Sequence, residues 1–317
     1  MEKVYQILIL ILAALTLCII LNRCDHPFMK HLNNLNPIKS YKVYTYIEIP
    51  KYSNSEKKIQ LLSKNDSIPV FLNLCIQLMK EKISGFNTDL VILTPENYLN
   101  YVNDLPISMN DTSYPIKFRV DLLAAFILEK HGGLFLSPGT IIYKNIDKIL
   151  SKVNSMDLVT FGGSQKSNSC SNNKTPSSFT LGSKHKSEFI KLYKKGLINT
   201  INTINTINTI NTINKKLPSE FISETIMEAI LSNNTFNQYH FCCHQDGSRD
   251  INNRNITFED FIGYEDIKFK NETKLIIIVF PYHKLYSNSE YKWFNILQEH
   301  EFDQSNMYVN KLLKKLT

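Results

Sequence analysis

Residues Lys117 to His131 read KFRVDLLAAFILEKH, a stretch that no solvent-facing helix can carry. Wound at about 3.6 residues per turn, it is apolar on almost every side, so it has to be covered all round inside a layered domain. Gly132-Gly133 stops it, and Leu134 to Leu136 starts a short apolar strand. Tyr41 to Ile49 has the aromatic and β-branched content of a strand. Ile68 to Ile83 places Val70, Phe71, Leu74 and Leu78 at helical spacing, and Asp89 to Leu93, Leu158 to Phe161 and Leu275 to Phe280 read as buried strands. Strands alternating with helices predict an α/β domain with a mainly parallel central sheet. With 317 residues, 43% of them hydrophobic and 11% aromatic, the chain can bury such a core; disordered, collagen-like and polytopic membrane classes are excluded.

The remainder organises around that domain. Val4 to Leu21 is an uncharged apolar run followed by ILNRCDHP, which lacks a small-residue cleavage site. It predicts an uncleaved signal-anchor helix through residues 4–21, within an N-terminal segment of residues 1–24, and then a polar stalk over 25–40. The domain itself is placed at 41–317. Charge is a poor guide to orientation, because Lys3 lies on one side and Arg23 and Lys30 on the other. Ile198 to Asn214 repeats Asn-Thr-Ile five times; three β-prone residue types at a period of three predict a low-complexity surface loop over 198–214. Thirty-six basic residues against 29 acidic ones, without an Arg-rich stripe, exclude a nucleic-acid partner. Six cysteines in a chain this long make no disulfide framework. Sequons at Asn65, Asn110, Asn173, Asn233, Asn255 and Asn271 are no more than abundant Asn, Ser and Thr produce by chance. Trp293-Phe294 reads as a helix-packing pair.

Chemistry concentrates in Phe118 to Asn145. Asp121, in an apolar helix, is either buried with a partner or placed to complement the helix N-terminus; Arg119 is its salt-bridge partner or a surface residue. Gly132-Gly133 has a structural cause in the reversal from helix to strand, with close approach of a ribose to that backbone as the alternative. Ser137-Pro138-Gly139-Thr140 has the composition of a type II turn. The amides of Gly139 and Thr140, with the Ser137 hydroxyl, can equally form an anion-binding nest, helped by charge from Lys144 or Arg119. In His240-Phe-Cys242-Cys243-His244 an extended chain puts His240, Cys242 and His244 on one face, but no second ligand pair completes a zinc site, so no metal ligand is assigned.

The stretch resembles the central motif of the capsular polysaccharide synthesis proteins and the DXD-motif glycosyltransferases: Ser-Asp-x-x-Arg, an apolar spacer, Gly-Gly, an aliphatic–aromatic–aliphatic strand, then Asp-x-Asp. Asp121 falls on the family Asp, Gly132 and Gly133 on the glycine pair, and Leu134-Phe135-Leu136 on the strand. Pro69 to Leu78, Asp89 to Asp104 and Asp157 to Gly162 follow in family order, so the resemblance covers residues 41–195. It implies a GT-A-like nucleotide-sugar-binding domain, in a type II membrane protein facing the ER/Golgi lumen or the cell exterior. The implied donor substrate is a nucleotide sugar and the acceptor a glycan or glycoprotein. Arg119, Asp121, Gly132, Gly133, Ser137, Gly139, Thr140 and His244 are then substrate-binding residues, with Asp246 or His283 also able to approach the diphosphate; no catalytic residue is assigned.

Two positions depart from the family pattern. Its Asp-x-Asp lands on Ser137-Pro138-Gly139, and its Arg on Ala124, about 140° round the helix from Arg119. In the family those carboxylates hold a divalent cation that neutralises the leaving diphosphate. A divalent metal is therefore not expected here, no cofactor is assigned, and two readings stand: a hexosyltransferase that works without the DXD carboxylates, or a catalytically degenerate binder of sugar nucleotides or glycans, or partner subunit.

Overall fold

The computed structural model describes residues 41–48, 68–83, 88–161, 176–210, 222–241, 245–287 and 289–316. The expected anchor and stalk (residues 1–40), His244 with Cys242 and Cys243, and the end of the repeat (211–214) lie outside the described residues. Strand β1 (Tyr41–Tyr46) is buried from Val43 onward and pairs in parallel with β2 (Thr88–Leu93) on one side and β3 (Gly133–Leu136) on the other. The sheet continues through β6 (Thr180–Ser183), antiparallel to both its neighbours, to β5 (Leu158–Phe161) and β7 (Gln238–Phe241), which pair in parallel. The order is β2-β1-β3-β6-β5-β7, so the α/β prediction with a mainly parallel sheet holds, with β6 as the antiparallel member. A separate ribbon joins β4 (Thr140–Ile142) to β8 (Ile277–Val279) in antiparallel register.

Alternation along the strands divides the apolar side chains into two layers. Leu134 and Leu136 of β3, with Val43, Val159 and Phe161, face helix α3 (Asp147–Val153) through Ile149, Leu150 and Val153. Phe135, Tyr44 and Leu181 face the opposite layer, which holds α2 (Ile116–His131), α4 (Glu188–Ile210) and α5 (Ile222–Asn233), while α1 (Val70–Ile83) gives Phe71, Leu72, Cys75 and Leu78 to this cluster and Met79 and Ile83 to the first. The all-round apolar helix is α2, buried from Ile116 to Leu128 as its composition requires. α1 buries Phe71, Leu72, Cys75, Leu78 and Met79; Cys75 is a free thiol pushed well above its usual pKa by burial. At Gly196 a Cβ atom would lie 2.6 Å from Ile226, so the missing side chain is what lets α4 and α5 approach.

Short helices α6 (Phe258–Ile262), α7 (Lys284–Ser287), α8 (Lys292–Asn295), α9 (Glu299–Gln304) and α10 (Tyr308–Leu316) complete the described chain. The Trp293-Phe294 pair is split: Phe294 packs against Phe71, Phe258, Phe280 and Phe302, whereas Trp293 is 44% exposed. It is not a joint packing pair.

The repeat corrects a sequence expectation. Residues 198–210 are not a loop but the second half of α4. A triplet advances about 300° around a helix, so isoleucines three apart stay near one face and drift by only about 60° per repeat. Ile201 and Ile204 are buried at 2% and 6% exposure, and Ile207 is already partly exposed. Thr200, Thr203 and Thr206 each donate their hydroxyl to the carbonyl four residues earlier, and Tyr114 donates to Asn205 Oδ1 at 3.0 Å. Burial of that stripe against the core outweighs the weak helix propensity of Asn, Thr and Ile. Ile201→Ala is accordingly expected to cost about 2–4 kcal/mol in a denaturation experiment, and Ile207→Ala under about 1 kcal/mol. Equal costs at the two positions would refute the drifting stripe.

Candidate functional site

β1 and β3 are adjacent and parallel, yet β2, which falls between them in sequence, lies on the outer side of β1. The strand order therefore reverses between β1 and β3, and in open α/β sheets ligands bind outside the carboxyl ends of the strands at such a reversal. Glu48 follows the end of β1, and Ser137 follows the end of β3.

Helix α2 starts at this pole. Lys117 and Asp121 are one turn apart, so they share a face, and that face meets the turn leading into β6 and the first turn of α5. The Lys117 ammonium donates to Asp121 Oδ2 at 2.9 Å, to Ser178 Oγ at 2.6 Å and to Glu224 Oε2 at 3.3 Å, with Glu224 Oε1 3.0 Å away in the ion pair. Ser178 can pass its own proton to Asp121 Oδ2 at 3.1 Å or Glu224 Oε1 at 3.0 Å. All four side chains are buried, and the Phe179 ring lies 5.0 Å below the ammonium. One cation thus faces two carboxylates away from water. Burial raises the Asp121 carboxyl above its usual range, against the pull of Lys117 and with a further push from Glu224. Burial draws Lys117 down, but Asp121 and Glu224 outweigh it and hold the ammonium above its usual pKa. The three N–H bonds of Lys117 are all engaged by protein oxygens, so this group braces the pole and does not reach a substrate.

Arg119 is neither a surface residue nor the partner of Asp121. Its fork grips Glu48 in two parallel bonds, Nη1 to Oε2 at 2.9 Å and Nη2 to Oε1 at 3.0 Å, while Nε donates to the Tyr114 carbonyl and Nη1 also to that of Met109. Tyr46 donates to Glu48 Oε2, and Tyr286 to its carbonyl, both at 2.9 Å. At 15% side-chain exposure Glu48 reaches solvent; Asp121 at 4% and Glu224 at 3% do not.

The turn after β3 is buried throughout. Ser137 donates both its amide (3.0 Å) and its hydroxyl (2.7 Å) to the Phe179 carbonyl, and the Thr140 amide closes the turn on the Ser137 carbonyl at 3.0 Å. Gly139 is not in the left-handed region, so the turn is not type II; glycine is needed because a Cβ would press on Phe280 at 3.2 Å. The nest expected from Gly139, Thr140 and Ser137 is thus closed inward, with the Thr140 amide and the Ser137 hydroxyl already bonded. Lys144 lies beyond the far end of β4, where it donates to the Thr273 carbonyl at 2.6 Å. Gly132 and Gly133 sit at the opposite end of β3 from Ser137. With φ +67° and +109°, and Cβ positions 2.5 Å from the His185 amide and 2.4 Å from the Lys42 carbonyl, they have a packing cause, and the fold does not bring them to the pole of Asp121 and Ser137.

Of the downstream residues, His283 is 4% exposed and stacks on Phe179 with ring centroids 5.4 Å apart. Asp246 is also buried, beside β8, where its carbonyl accepts the Val279 amide. The Asp246 carboxyl accepts the Ser248 amide at 3.0 Å, and burial pushes it up to about 6. His240 on β7 is held below its usual pKa by burial. Among the described residues no three His, Cys, Asp or Glu side chains converge as a metal site. The position of the DXD pair offers a hydroxyl, a proline ring and no side chain, and that hydroxyl is bonded to Phe179, so these residues do not fit the divalent cation of the motif.

Residues 39–256 match the profile of the capsular polysaccharide synthesis proteins. The chain belongs to this family. The matched span runs from the start of β1 to Ile256 and holds every member of the Lys117 cluster and the Arg119–Glu48 fork. A comparison with curated proteins returns no match. Membership supports a glycosyltransferase-like role in polysaccharide synthesis for this capsular polysaccharide synthesis protein.

Sequence reasoning missed Lys117, Ser178, Glu224 and Glu48. Helical spacing could have found the first, since a residue four before Asp121 faces it and one two before it does not. Replacing Lys117 with Met leaves two buried carboxylates without a counter-charge and is expected to cost about 3–5 kcal/mol; Asp121→Asn leaves a one-to-one pair and costs less. Urea denaturation of both variants checks this, and equal losses would refute the bracing role. The Asp246 carboxyl binds its proton more tightly folded than unfolded, so its contribution is full below about pH 4 and lost as pH rises through about 6. Asp246→Asn should therefore be more stable than wild type at pH 7 by about 1–3 kcal/mol, with the gap closing toward pH 4.

Proposed function

We propose that this protein transfers a hexose from a nucleotide sugar to a glycan or glycoprotein acceptor, in a GT-A-like domain whose donor site lies at the carboxyl ends of β1 and β3. The observation that carries this reading is the convergence of the Arg119–Glu48 fork and the braced Lys117 cluster at the strand-order reversal. Glu48 is fixed in orientation by Arg119 and Tyr46 and open to solvent on one side, which suits it to accept hydroxyl groups of the donor's ribose or hexose. Arg119, Asp121 and Lys117 act here by holding Glu48 and the β6 turn in place. Ser137, Gly139, Thr140 and His283 form the wall beneath.

The turn Ser137-Pro138-Gly139 favours a second reading, in which the domain binds a sugar nucleotide or a glycan without turning it over. The transferase and a sugar-nucleotide binder both predict donor binding that does not depend on a divalent cation, whereas a glycan binder predicts none. A thermal-shift screen of the full-length protein against sugar nucleotides, with Mn²⁺ or with EDTA, tests this. One nucleotide class should raise the melting temperature; at a hundredfold over Kd the gain is about 2.7 kcal/mol, and EDTA should leave it unchanged. A shift abolished by EDTA would mean that carboxylates outside the turn hold a metal. No shift with any nucleotide would sink the donor site. Release of free hexose or glycosylated acceptor from the bound donor separates the transferase from the binder.

A further inference from the structure

Lys130 lies thirteen residues along α2 from Lys117, about 20 Å from the donor pole, and there α2 and α4 border a cavity of about 480 Å³. Four lysines line it: Lys130 from α2, Lys191 and Lys194 from α4, and Lys186 from the turn between β6 and α4. Two carboxylates, Asp104 and Glu129, line it as well; Lys194 engages Glu129, Lys191 pairs with Glu188 one turn back on α4 at 2.6 Å, and Lys130 donates to the Tyr101 carbonyl at 2.8 Å. The surplus charge is positive. Val102 and Phe126 back the cavity but are buried at 1% and 5% exposure, and the Lys194 ammonium lies over the Phe126 ring, 4.6 Å from its centroid.

Lys186 has φ 55°, a left-handed conformation that favours glycine or asparagine. Its amide donates to the Glu129 carbonyl at 3.1 Å, and the amide of the preceding His185 occupies the space where a side chain at Gly132 would start. A lysine is thus held in a disfavoured backbone conformation in the lining of a cavity already rich in lysine.

We propose that this cavity is a second binding site, for an anionic saccharide. The lysines take a phosphate or carboxylate group, and Asp104 accepts sugar hydroxyls. Its size is that of a small-molecule pocket, and the mixture of ammonium and carboxylate groups matches a charged sugar better than a bare ion. The site is remote from the donor pole, so it engages a part of the acceptor polymer that is not reacting; that assignment of the occupant as acceptor rests on the polysaccharide reading above, whereas the binding itself does not.

Calorimetric titration of the full-length protein with oligogalacturonate tests the site, with glucose 6-phosphate beside it to tell a carboxylate head group from a phosphate. Binding of either is expected, weakening at least about tenfold between low salt and 0.5 M salt as exposed ammonium groups are screened. Lys186→Asn, which keeps the left-handed backbone, combined with Lys191→Gln should weaken binding about tenfold. The same double variant should bind nucleotide sugars as wild type does. Unchanged saccharide affinity in the double variant, or no salt dependence in the unmodified protein, overturns the proposal. So does inorganic phosphate or neutral maltohexaose binding as tightly as the charged sugars. Loss of nucleotide binding with oligogalacturonate binding intact would count against the donor site alone.

Discussion

One ammonium group with all three of its protons engaged is the constraint on which the pole at the carboxyl ends of β1 and β3 depends. Lys117 joins the start of α2 to the turn before β6 and to the first turn of α5, segments that are 61 and 107 residues away in sequence. Each partner is needed by the others: two buried carboxylates without the lysine would repel, and a buried lysine without them would lose its charge. The arrangement therefore disfavours any docking of α5 that leaves Glu224 unpaired. It also holds Phe179, whose carbonyl carries both donors of Ser137 and whose ring carries His283.

That dependence explains how a turn emptied of carboxylates can keep its shape. In Ser137-Pro138-Gly139 the Ser137 amide and hydroxyl point into the protein, and the glycine makes room for Phe280, which in turn packs in tilted and edge-to-face contacts against Phe71, Phe258 and Phe261. The turn has become part of the core. One strand over, at the end of β1, Glu48 reaches solvent, and a bidentate guanidinium sets the orientation of its carboxylate.

Much of the frame was legible in the chain because it rests on local composition. The apolar all-round α2, the β-branched β1 and the helical spacing of Val70 to Leu78 each signal their own state, and the structure places them as read. β4, β6 and β7, three or four residues long, are too short to show a period, and β6 contains Gly182 against Val153, a packing demand no local rule reveals. The family motif located the helix–glycine–strand core correctly. It misled on side chains, since a motif carries the roles of residues that have been replaced here. The sequence offers Arg119 as either the partner of Asp121 or a surface residue, and it is neither, because residues two apart on a helix point to different sides. Ser178 and Glu224 arrive from distant segments, and only the folded chain brings them to Lys117.

The Asn-Thr-Ile helix has a consequence for how this protein can change. A repeat of nine nucleotides is prone to slippage during replication, and each gain or loss of a unit stays in frame. In a loop such slips would leave the fold indifferent. In α4 each unit adds about 4.5 Å of helix and turns the isoleucine ridge by about 60°, so Ile201 and Ile204 are held by the core while Ile207 is already partly exposed. A gain or loss of units past Ile204 would thus change the length of α4 in steps while the buried isoleucines keep their seat in the core.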